Sequence, residues 1–286
     1  MIKIMIDSAA DISKNEAEEK GVIMIPMLIN IGEEEFYDGV NLSAQEFWEK
    51  LVESNALPKT SLINAFRFEE AFEKHTRGGD ELIVITISSK LSGTYESARQ
   101  AAEKFAGKVY VIDSLNACVG ERLLCDYALR LLNQGLSAKE IVAELEEKKK
   151  NIKVMALLGT LEYLKKGGRI SRTVAFAGEM ISLKPVVGVV DGEVKLIGKA
   201  LGSRKGNNLL NKLVQEAGGI DFSMPYATLW SGLDCSLLDK YIRDSASLWA
   251  EHSDCIPKHI LGATIGTHVG PGVVGVAFFG NGESRR

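Results

Sequence analysis

The first half of the chain alternates short apolar runs with segments of helical periodicity. The runs "IKIMID" (2–7), "ELIVITI" (81–87) and "KVYVID" (108–113) are short and rich in β-branched residues, which predicts strands. "VIMIPMLIN" (22–30) predicts one further strand. Strands that alternate with helices favour a mainly parallel sheet with helices on both faces.

Local signals mark the helix boundaries in this half. Ser43 with Glu46, and Ser137 with Glu140, each have the spacing of a capping box just before a helical period. Gly135 follows another helical period, where a C′ glycine is common. The sequence therefore predicts helices that begin after Ser43 and Ser137, and one that ends before Gly135.

The second half predicts hairpins as well as helices. Asp191–Gly192 lies between two β runs, as in a type I′ turn. The segment 258–280 predicts two strands joined by a Gly-Pro-Gly turn. Helix, strand and helix are predicted near 203–217, 226–231 and 235–250. Hairpins among helices imply a mixed sheet.

The expected fold is therefore α/β with two domains. The first, residues 1–155, has a mainly parallel sheet flanked by helices, and the second, residues 156–286, has a mixed sheet. Because no linker rich in proline, glycine or serine separates the two halves, we expect the domains to pack tightly.

Composition and charge exclude several classes of protein. With 286 residues, 45% of them hydrophobic, the chain can build a substantial core, and a net charge of −4 gives no basic field for nucleic acid. No apolar run approaches the roughly 20 residues of a membrane span. The four cysteines form no CxxC pair. We expect a reduced, cytoplasmic monomer without metal, cofactor, nucleic-acid partner or stable membrane insertion.

One glycine motif is misleading. "GPGVVG" at 270–275 matches G-x-G-x-x-G, but a dinucleotide site needs a helix after the loop. Here the chain continues as a predicted strand and ends soon afterwards. The sequence contains neither a Walker A motif nor a G-x-S-x-G elbow, and no Ser-His-Asp order can be recognised. A tight turn is the better interpretation.

A hydroxyl-rich stretch follows the apolar run at 81–87. "TISSKLSGTYESA" (86–98) places Ser92, Gly93 and Thr94 at the carboxyl end of a buried strand, just before a helix from about Tyr95. Ligands of open α/β sheets bind at this edge, and a helix N-terminus favours an anion. The stretch predicts a site for a small anion or carboxylate. The alternative is that Ser92 or Thr94 only caps the helix.

Three other elements carry polar candidates, each with an ordinary structural alternative. Thr60 and Ser61 in "PKTS" are candidates for binding or for capping the next helix. Arg169 follows a helix that ends in two glycines, so it is a binding candidate, a surface residue or a partner of the helix dipole. His268, predicted at a strand end, is a binding candidate or a satisfied core residue.

The motifs gain specificity from their order along the chain. They are "DSAAD" (7–11), "YDG" (37–39), "PKTS" (58–61), "SSKLSGTYESA" (88–98), "VIDS" (111–114), "LEYLKKGGRIS" (161–171), "LKP" (183–185) and "THVGPGVVG" (267–275). Over essentially its whole length, the chain resembles the DegV family of bacterial fatty acid-binding proteins.

The resemblance implies a fold, a ligand and a partner. DegV-like proteins hold one long-chain fatty acid in an apolar tunnel between two α/β domains, and some present it to a fatty acid kinase that makes an acyl phosphate for phospholipid synthesis. The carrier itself is not an enzyme. Thr60 and Ser92 match the residues that bind the carboxylate. The full set of implied ligand-binding residues is Thr60, Ser61, Ser92, Gly93, Thr94, Arg169 and His268.

Two departures from the family pattern affect these expectations. The family often has T-S-Q-P-S where this chain has "TSLIN", so Leu62 and Ile63 make the loop more apolar. Members also commonly carry an arginine in a K-x-R motif where this chain has Leu201, with Arg204 three residues later. The kinase partnership is therefore less firmly implied than lipid binding.

Two other functions stay open from the sequence. One is an enzyme, a hydrolase or phosphotransferase, that uses Ser92 or His268. The other is a sensor that binds a polar anion or sugar phosphate. A sensor predicts a polar cleft, whereas a lipid carrier predicts a long apolar one. Residues expected to line an apolar cleft, unless they are ordinary core, are Phe176, Met180, Ile181 and Leu183.

Overall fold

The computed structural model describes residues 1–54, 56–171, 183–249, 252 and 255–281. Its strands are β1 (Ile2–Asp7), β2 (Val22–Ile25), β3 (Leu28–Ile31), β4 (Glu34–Tyr37), β5 (Lys59–Ser61), β6 (Glu81–Thr86), β7 (Val109–Asp113), β8 (Ile152–Leu157), β9 (Leu183–Val190), β10 (Glu193–Leu201), β11 (Tyr226–Trp230), β12 (Lys258–Ile260) and β13 (Val274–Phe279). Its helices are α1 (Lys14–Lys20), α2 (Ala44–Glu53), α3 (Ala65–Thr76), α4 (Thr94–Ala102), α5 (Val119–Asn133), α6 (Ala138–Lys148), α7 (Glu162–Lys166), α8 (Gly202–Glu216), α9 (Ser236–Asp244), α10 (Ala246–Trp249) and α11 (Ala263–Val269). The expected lining residues Phe176, Met180 and Ile181 lie outside the described residues.

The first half forms the predicted parallel sheet. Its four strands lie in the order β2-β1-β6-β7, and every neighbouring pair is parallel. The residues of β6 after Glu81 are all buried, as expected of a central strand covered on both faces. Because all four strands point the same way, their carboxyl ends meet at one edge, and the hydroxyl-rich stretch lies there.

The single strand predicted at 22–30 is wrong. It is two strands, β2 and β3, which belong to different sheets. Pro26 lies between them and has no N–H to donate to a ladder, so the strand breaks there. β3 instead forms the centre of a small antiparallel sheet, β4-β3-β5, in which Ile29 lies opposite Thr60.

The second half forms the predicted mixed sheet, with strand order β10-β9-β8-β13-β11-β12. β11 and β12 are parallel, and the other neighbouring pairs are antiparallel. The β9–β10 turn has φ of 52° at Asp191 and 81° at Gly192, the two positive values of a type I′ turn. The predicted boundary near residue 155 falls within β8 of this sheet and stays a prediction.

The helix-end signals identified in the sequence are confirmed. Ser43 and Ser137 each accept the backbone N–H of the glutamate three residues later, whose carboxylate in turn accepts the backbone N–H of the serine. Gly135 follows α5 with φ of 82°.

The single helix predicted at 235–250 is instead two, α9 and α10. They meet at Ser245, whose hydroxyl donates to Tyr241 O at 2.6 Å.

The segment 258–280 contains two strands, β12 and β13, but the prediction that a Gly-Pro-Gly turn joins them is wrong, because the seven-residue helix α11 lies between them. Carboxylates from the first half accept the backbone N–H groups at its start. Asp11 Oδ1 accepts the N–H of Gly262 at 2.7 Å, and Asp38 accepts those of Ala263 and Thr264 at 3.2 and 3.1 Å. The Gly-Pro-Gly turn therefore joins a helix to a strand.

The two sheets share one hydrophobic core. A continuous cluster of buried side chains includes Ile4 and Ile85 of the parallel sheet together with Val154 and Val187 of the mixed sheet. A smaller cluster lies between the mixed sheet and α8 and α9. Within the described ranges, no helix combines the length and apolar character needed to span a membrane.

Candidate functional site

A cavity of about 440 Å³ lies between the edge of the parallel sheet and the mixed sheet. Its volume is in the range of small-molecule sites. Aliphatic side chains from several elements form most of its wall. They include Ile87 and Leu91 after β6, Val154 and Ala156 of β8, Val187 of β9 and Leu229 of β11. An aliphatic wall of this kind suits an apolar ligand.

Most of the predicted site residues line this cavity. They are Thr60, Ser61, Ser92, Gly93, Arg169 and His268. Thr94 is fully buried and does not line the cavity, because it lies behind Ser92 and contacts it. Leu183 is described but does not line the cavity. Polar groups that are far apart in the sequence thus converge on one side of an apolar chamber.

Thr60 and His268 form a direct pair. Thr60 Oγ1 lies 3.0 Å from His268 Nε2. Thr60 and Ser61 belong to β5 and do not cap α3, because Asn64 is the N-cap and accepts the N–H of Arg67 at 3.0 Å. The capping alternative for Thr60 and Ser61 is therefore wrong. The expectation that His268 lies at a strand end is also wrong, because it lies in the last turn of α11.

Ser92 and Thr94 form a second pair. Ser92 Oγ lies 2.9 Å from Thr94 Oγ1, and it also accepts the backbone N–H of Thr94 at 3.3 Å. Thr94 Oγ1 in turn accepts the N–H of Ile63 at 3.4 Å. Gly93 is the N-cap of α4, so neither Ser92 nor Thr94 occupies the N-cap position, although Ser92 Oγ does accept the first N–H of the helix.

Arg169 links two walls of the cavity. Its Nε donates to Leu91 O at 3.2 Å and its NH1 donates to Gly167 O at 2.6 Å. The second bond is the contact with a helix C-terminus expected of a dipole partner. The first bond connects α7 to the loop that carries Ser92. Arg169 is half-buried, and it also lines the cavity.

His268 is held in the neutral form. Burial, and after it the nearby positive charge of Arg169, lower its pKa from 6.5 to about 4. Its Nδ1 is buried and has no hydrogen-bond partner among the described residues. Gly167 lies against that edge of the ring, where a side chain would collide with Nδ1. At neutral pH the site therefore contains an uncharged imidazole.

Sequence reasoning did not identify Thr264 and Ile265, which also line the cavity from α11. A signal was available in Asp11 of "DSAAD" and Asp38 of "YDG". Two buried acids need partners, and here those partners are the first N–H groups of α11. Burial raises the pKa of both carboxyls. These motifs therefore hold α11 and its lining residues against the first half.

The arrangement is better suited to holding an anion than to general-base catalysis. The sequence had suggested no base–nucleophile pair, but Thr60 and His268 are within hydrogen-bond distance. A lowered pKa makes the imidazole a weak base, and no described residue orients it through Nδ1. In the described part of the chain, no three His, Cys, Asp or Glu residues are placed to hold a metal ion.

Comparisons with known proteins agree with the fold. The model of the DegV family matches residues 1–281. DegV domain-containing proteins of Clostridium perfringens and Caldanaerobacter subterraneus are 32% and 33% identical, with coverage of 97% of this chain and 97% and 98% of theirs.

Solved structures are similar over nearly the whole chain. A DegV family protein from Thermus thermophilus, described as fatty acid-binding, has a TM-score of 0.86 and 29% identity, covering 98% of this chain and 99% of its own. A stearic acid-binding protein from Eubacterium ventriosum has a TM-score of 0.81 and 27% identity, covering 97% of both chains.

Proposed function

This chain belongs to the DegV family, and on that premise we propose that it binds a long-chain fatty acid in the cavity between its two sheets. Solved relatives from T. thermophilus and E. ventriosum are described as binding fatty acid and stearic acid. The polar residues at one side of the cavity would hold the carboxylate, and the aliphatic wall would enclose the tail. The protein would act as a carrier and not as an enzyme.

One observation carries the proposal: each of the two key hydroxyls has a protein group beside it that can donate to its oxygen. Ser92 Oγ accepts the N–H of Thr94. Thr94 Oγ1 already accepts the N–H of Ile63, so its own proton can be donated to Ser92 Oγ. The Ser92 proton is then free to bind a carboxylate in the cavity.

Thr60 is arranged in the same way by His268. An Nε2–H donating to Thr60 Oγ1 would direct the Thr60 proton into the cavity. The other tautomer would leave a buried Nδ1–H without an acceptor among the described residues. An unpaired buried N–H costs more free energy than an unpaired ring nitrogen. A neutral His268 with Nε2 protonated therefore supports a second O–H donor. Two such donors aimed at one side of an apolar cavity match a carboxylate.

The tail supplies most of the binding energy. Each buried methylene contributes about 0.8 kcal/mol, so a chain of about 14 methylenes contributes roughly 11 kcal/mol before the costs of association. An ionised carboxylate cannot enter such a cavity unpaired. Hydrogen bonds to a charged group contribute about 1.5–3 kcal/mol each. The hydroxyls therefore fix which end of the acid lies at the polar side.

The same features count against the two rival functions. A sensor of polar anions or sugar phosphates needs a polar cleft, whereas this cavity has a mainly aliphatic wall. A hydrolase or phosphotransferase needs an activated nucleophile. The low pKa of His268 leaves Thr60 without an effective base at neutral pH, and Ser92 bonds to Thr94 instead of a base.

The proposal extends to a partner. In the cytoplasm, a monomeric carrier would present the bound acid to a fatty acid kinase, whose acyl phosphate product would enter phospholipid synthesis. Leu201 stands where family members commonly carry arginine, at the end of β10 with half of its surface exposed. If that position contacts the kinase, Leu201→Arg should increase phosphorylation of the bound acid and leave lipid affinity unchanged. An equal phosphorylation rate would exclude this position from the encounter.

Mass spectrometry of the purified protein, first native and then after solvent extraction, tests lipid binding. We expect one fatty acid per chain. Delipidated protein should then bind the free acid more tightly than its methyl ester, because the ester has no charge for the hydroxyls to bind. A folded protein that neither carries nor takes up a fatty acid would refute the proposal. Equal affinity for acid and ester would refute the placement of the carboxylate.

A further inference from the structure

A second cavity of about 340 Å³ adjoins the one that carries the candidate site. It lies between the start of β8, the turn end of the β9–β10 hairpin and the end of α8. Ile152 lines it from the same face of β8 as Val154, Met155 lines it from the opposite face together with Ile197 and Leu213, and Lys150 and Lys153 lie at its polar side. Three residues line both cavities, namely Val154, Gly188 and Val189. These three residues, which we term the partition, separate the two chambers.

The partition is a tightly packed cross-strand unit. Val154 of β8 lies directly opposite Val189 of β9 in the antiparallel register, so both side chains project from the same face of the sheet. Gly188 contributes only backbone, and a side chain there would approach Ile197 to 3.0 Å. Val154 also packs onto Gly120 at the start of α5, where a side chain would collide with it. Trimming the two valine side chains would therefore open the partition toward the part of the second cavity that lies on the Ile152 face of β8.

The partition and the polar groups Arg169 and His268 lie toward opposite ends of β8. Leu158 follows β8 and leads through α7 to Arg169, and Gly167 lies against His268. Val154 precedes Leu158 by four residues, which corresponds to about 13 Å along an extended strand. β9 runs antiparallel to β8, so Val189 lies beside Val154 and not beside Leu158. An acyl chain that starts at Thr60 and Ser92 and follows β8 would reach the partition with its far end.

We infer that Val154 and Val189 form the end wall of the acyl chamber and set the longest straight chain that the protein binds. This inference rests on the proposed function. The part of the second cavity on their face of the sheet is volume that the two valines keep out of reach of the ligand. A chain longer than the chamber must bend or leave methylenes exposed, and each methylene left unburied weakens binding about four-fold, since about 0.8 kcal/mol is lost where 1.4 kcal/mol is ten-fold.

The test is the affinity of delipidated protein for straight-chain saturated acids, lengthened two carbons at a time. The affinity of the wild-type protein should rise with the length of the acid up to a limiting chain length and should fall for longer acids. Val154→Ala with Val189→Ala should move that limit to longer acids by at least two carbons. The matched control is Val187→Ala with Val273→Ala, which removes as many methyl groups from the first cavity alone. The limiting chain length of this control should move less than that of the partition variant.

A second variant keeps the inference testable if the double mutant does not fold. Val189→Leu extends the wall into the chamber and should move the limit to shorter acids. Thermal unfolding identifies which variants fold. The inference is wrong if the limiting chain length of the folded partition variant does not exceed that of the control. It is also wrong if Val189→Leu does not shorten the limiting chain length of the wild type. Either result leaves the proposal of lipid binding intact. If wild type binds no fatty acid of any length, the proposed function itself is wrong.

Discussion

Thr60 Oγ1 lies 3.0 Å from His268 Nε2, and this contact joins residues 208 positions apart. Thr60 belongs to β5 of the small antiparallel sheet, and His268 to α11, which is held at its other end by Asp11 and Asp38. The pair forms because two carboxylates of the first half fix a helix of the second half. The candidate site therefore depends on the packing of the two halves.

Replacing Thr60 and Ser92 together by alanine should weaken binding of the fatty acid by about 100-fold or more. Two hydrogen bonds to a charged carboxylate are lost, at about 1.5–3 kcal/mol each. Isothermal titration or displacement of a fluorescent acid measures the change. Ser89→Ala is the control from the same loop, because Ser89 does not line the cavity. Unchanged affinity in a folded double variant would exclude these hydroxyls as the carboxylate site.

Thr94→Val tests whether Thr94 positions the Ser92 hydroxyl from behind. Valine keeps the shape but removes the donor to Ser92 Oγ, so we expect the affinity for the acid to fall about five-fold, the value of one ordinary hydrogen bond. The affinity for the methyl ester should stay the same, because the ester does not need the charge-assisted bond. A variant that loses affinity for acid and ester equally would indicate general damage to the fold.

His268 should stay neutral down to about pH 4, its pKa being lowered from 6.5 by burial and by Arg169. Because the unfolded state takes up the proton first, this histidine costs stability as the pH falls from 6.5 towards 4, by up to about 3 kcal/mol. NMR titration of the ring measures the pKa directly. His268→Gln should lose less stability over this interval than wild type, and equal losses would contradict a buried neutral ring.

The contribution of Glu121 to the stability of the fold depends on pH with the opposite sign to that of His268. Both of its carboxyl oxygens are buried without a partner among the described residues, and burial, followed by the charges of Asp7 and Asp11, raises its pKa well above 4.5. Stability from this group is present below pH 4.5 and is lost as the pH rises through the raised pKa.

Glu121→Gln should therefore leave stability near pH 4.5 almost unchanged and raise it, relative to wild type, in alkaline buffer. Chemical denaturation at several pH values measures the difference, which isolates Glu121 from the other buried acids. Parallel stability curves for the two proteins would show that Glu121 is not protonated in the folded state.

Gly192→Ala should destabilise the contact between the two halves. Gly192 has φ of 81°, and its carbonyl accepts the Ser88 hydroxyl at 2.8 Å, while an added Cβ would lie 2.5 Å from Ser88 Oγ. Gly135 has nearly the same φ, 82°, with no atom within 4 Å of an added Cβ. Gly135→Ala should cost about 1 kcal/mol from backbone strain alone.

The cost of Gly192→Ala should exceed that of the matched Gly135→Ala variant by about another 1–3 kcal/mol, because the Ser88 contact must also shift. Thermal or denaturant unfolding of both variants gives the comparison. Equal costs would mean that the hairpin turn moves away from Ser88 without loss.

Local chemistry in the sequence determined much of the fold. The capping boxes at Ser43 and Ser137 and the turn at Asp191–Gly192 act through neighbours a few residues away, so they form as the sequence predicts. The parallel sheet follows from short β-branched runs between helices. The ordered motifs also contain most of the polar residues that line the cavity. Hydroxyls, an arginine and a histidine can be recognised from the sequence alone as groups able to bind a carboxylate.

Tertiary structure decided what depends on distant partners. α11 replaces the later part of a predicted strand, where Asp11 and Asp38, more than 200 residues earlier, accept the first N–H groups of the helix. Thr60 does not have the capping role that local reasoning allowed, because Asn64 is the N-cap of α3. Gly93 is the N-cap of α4, and Ser92 accepts the first N–H of that helix from the preceding position. The low pKa of His268 and the wall at Val154 and Val189 arise from burial and register, which exist only once the two sheets have packed together.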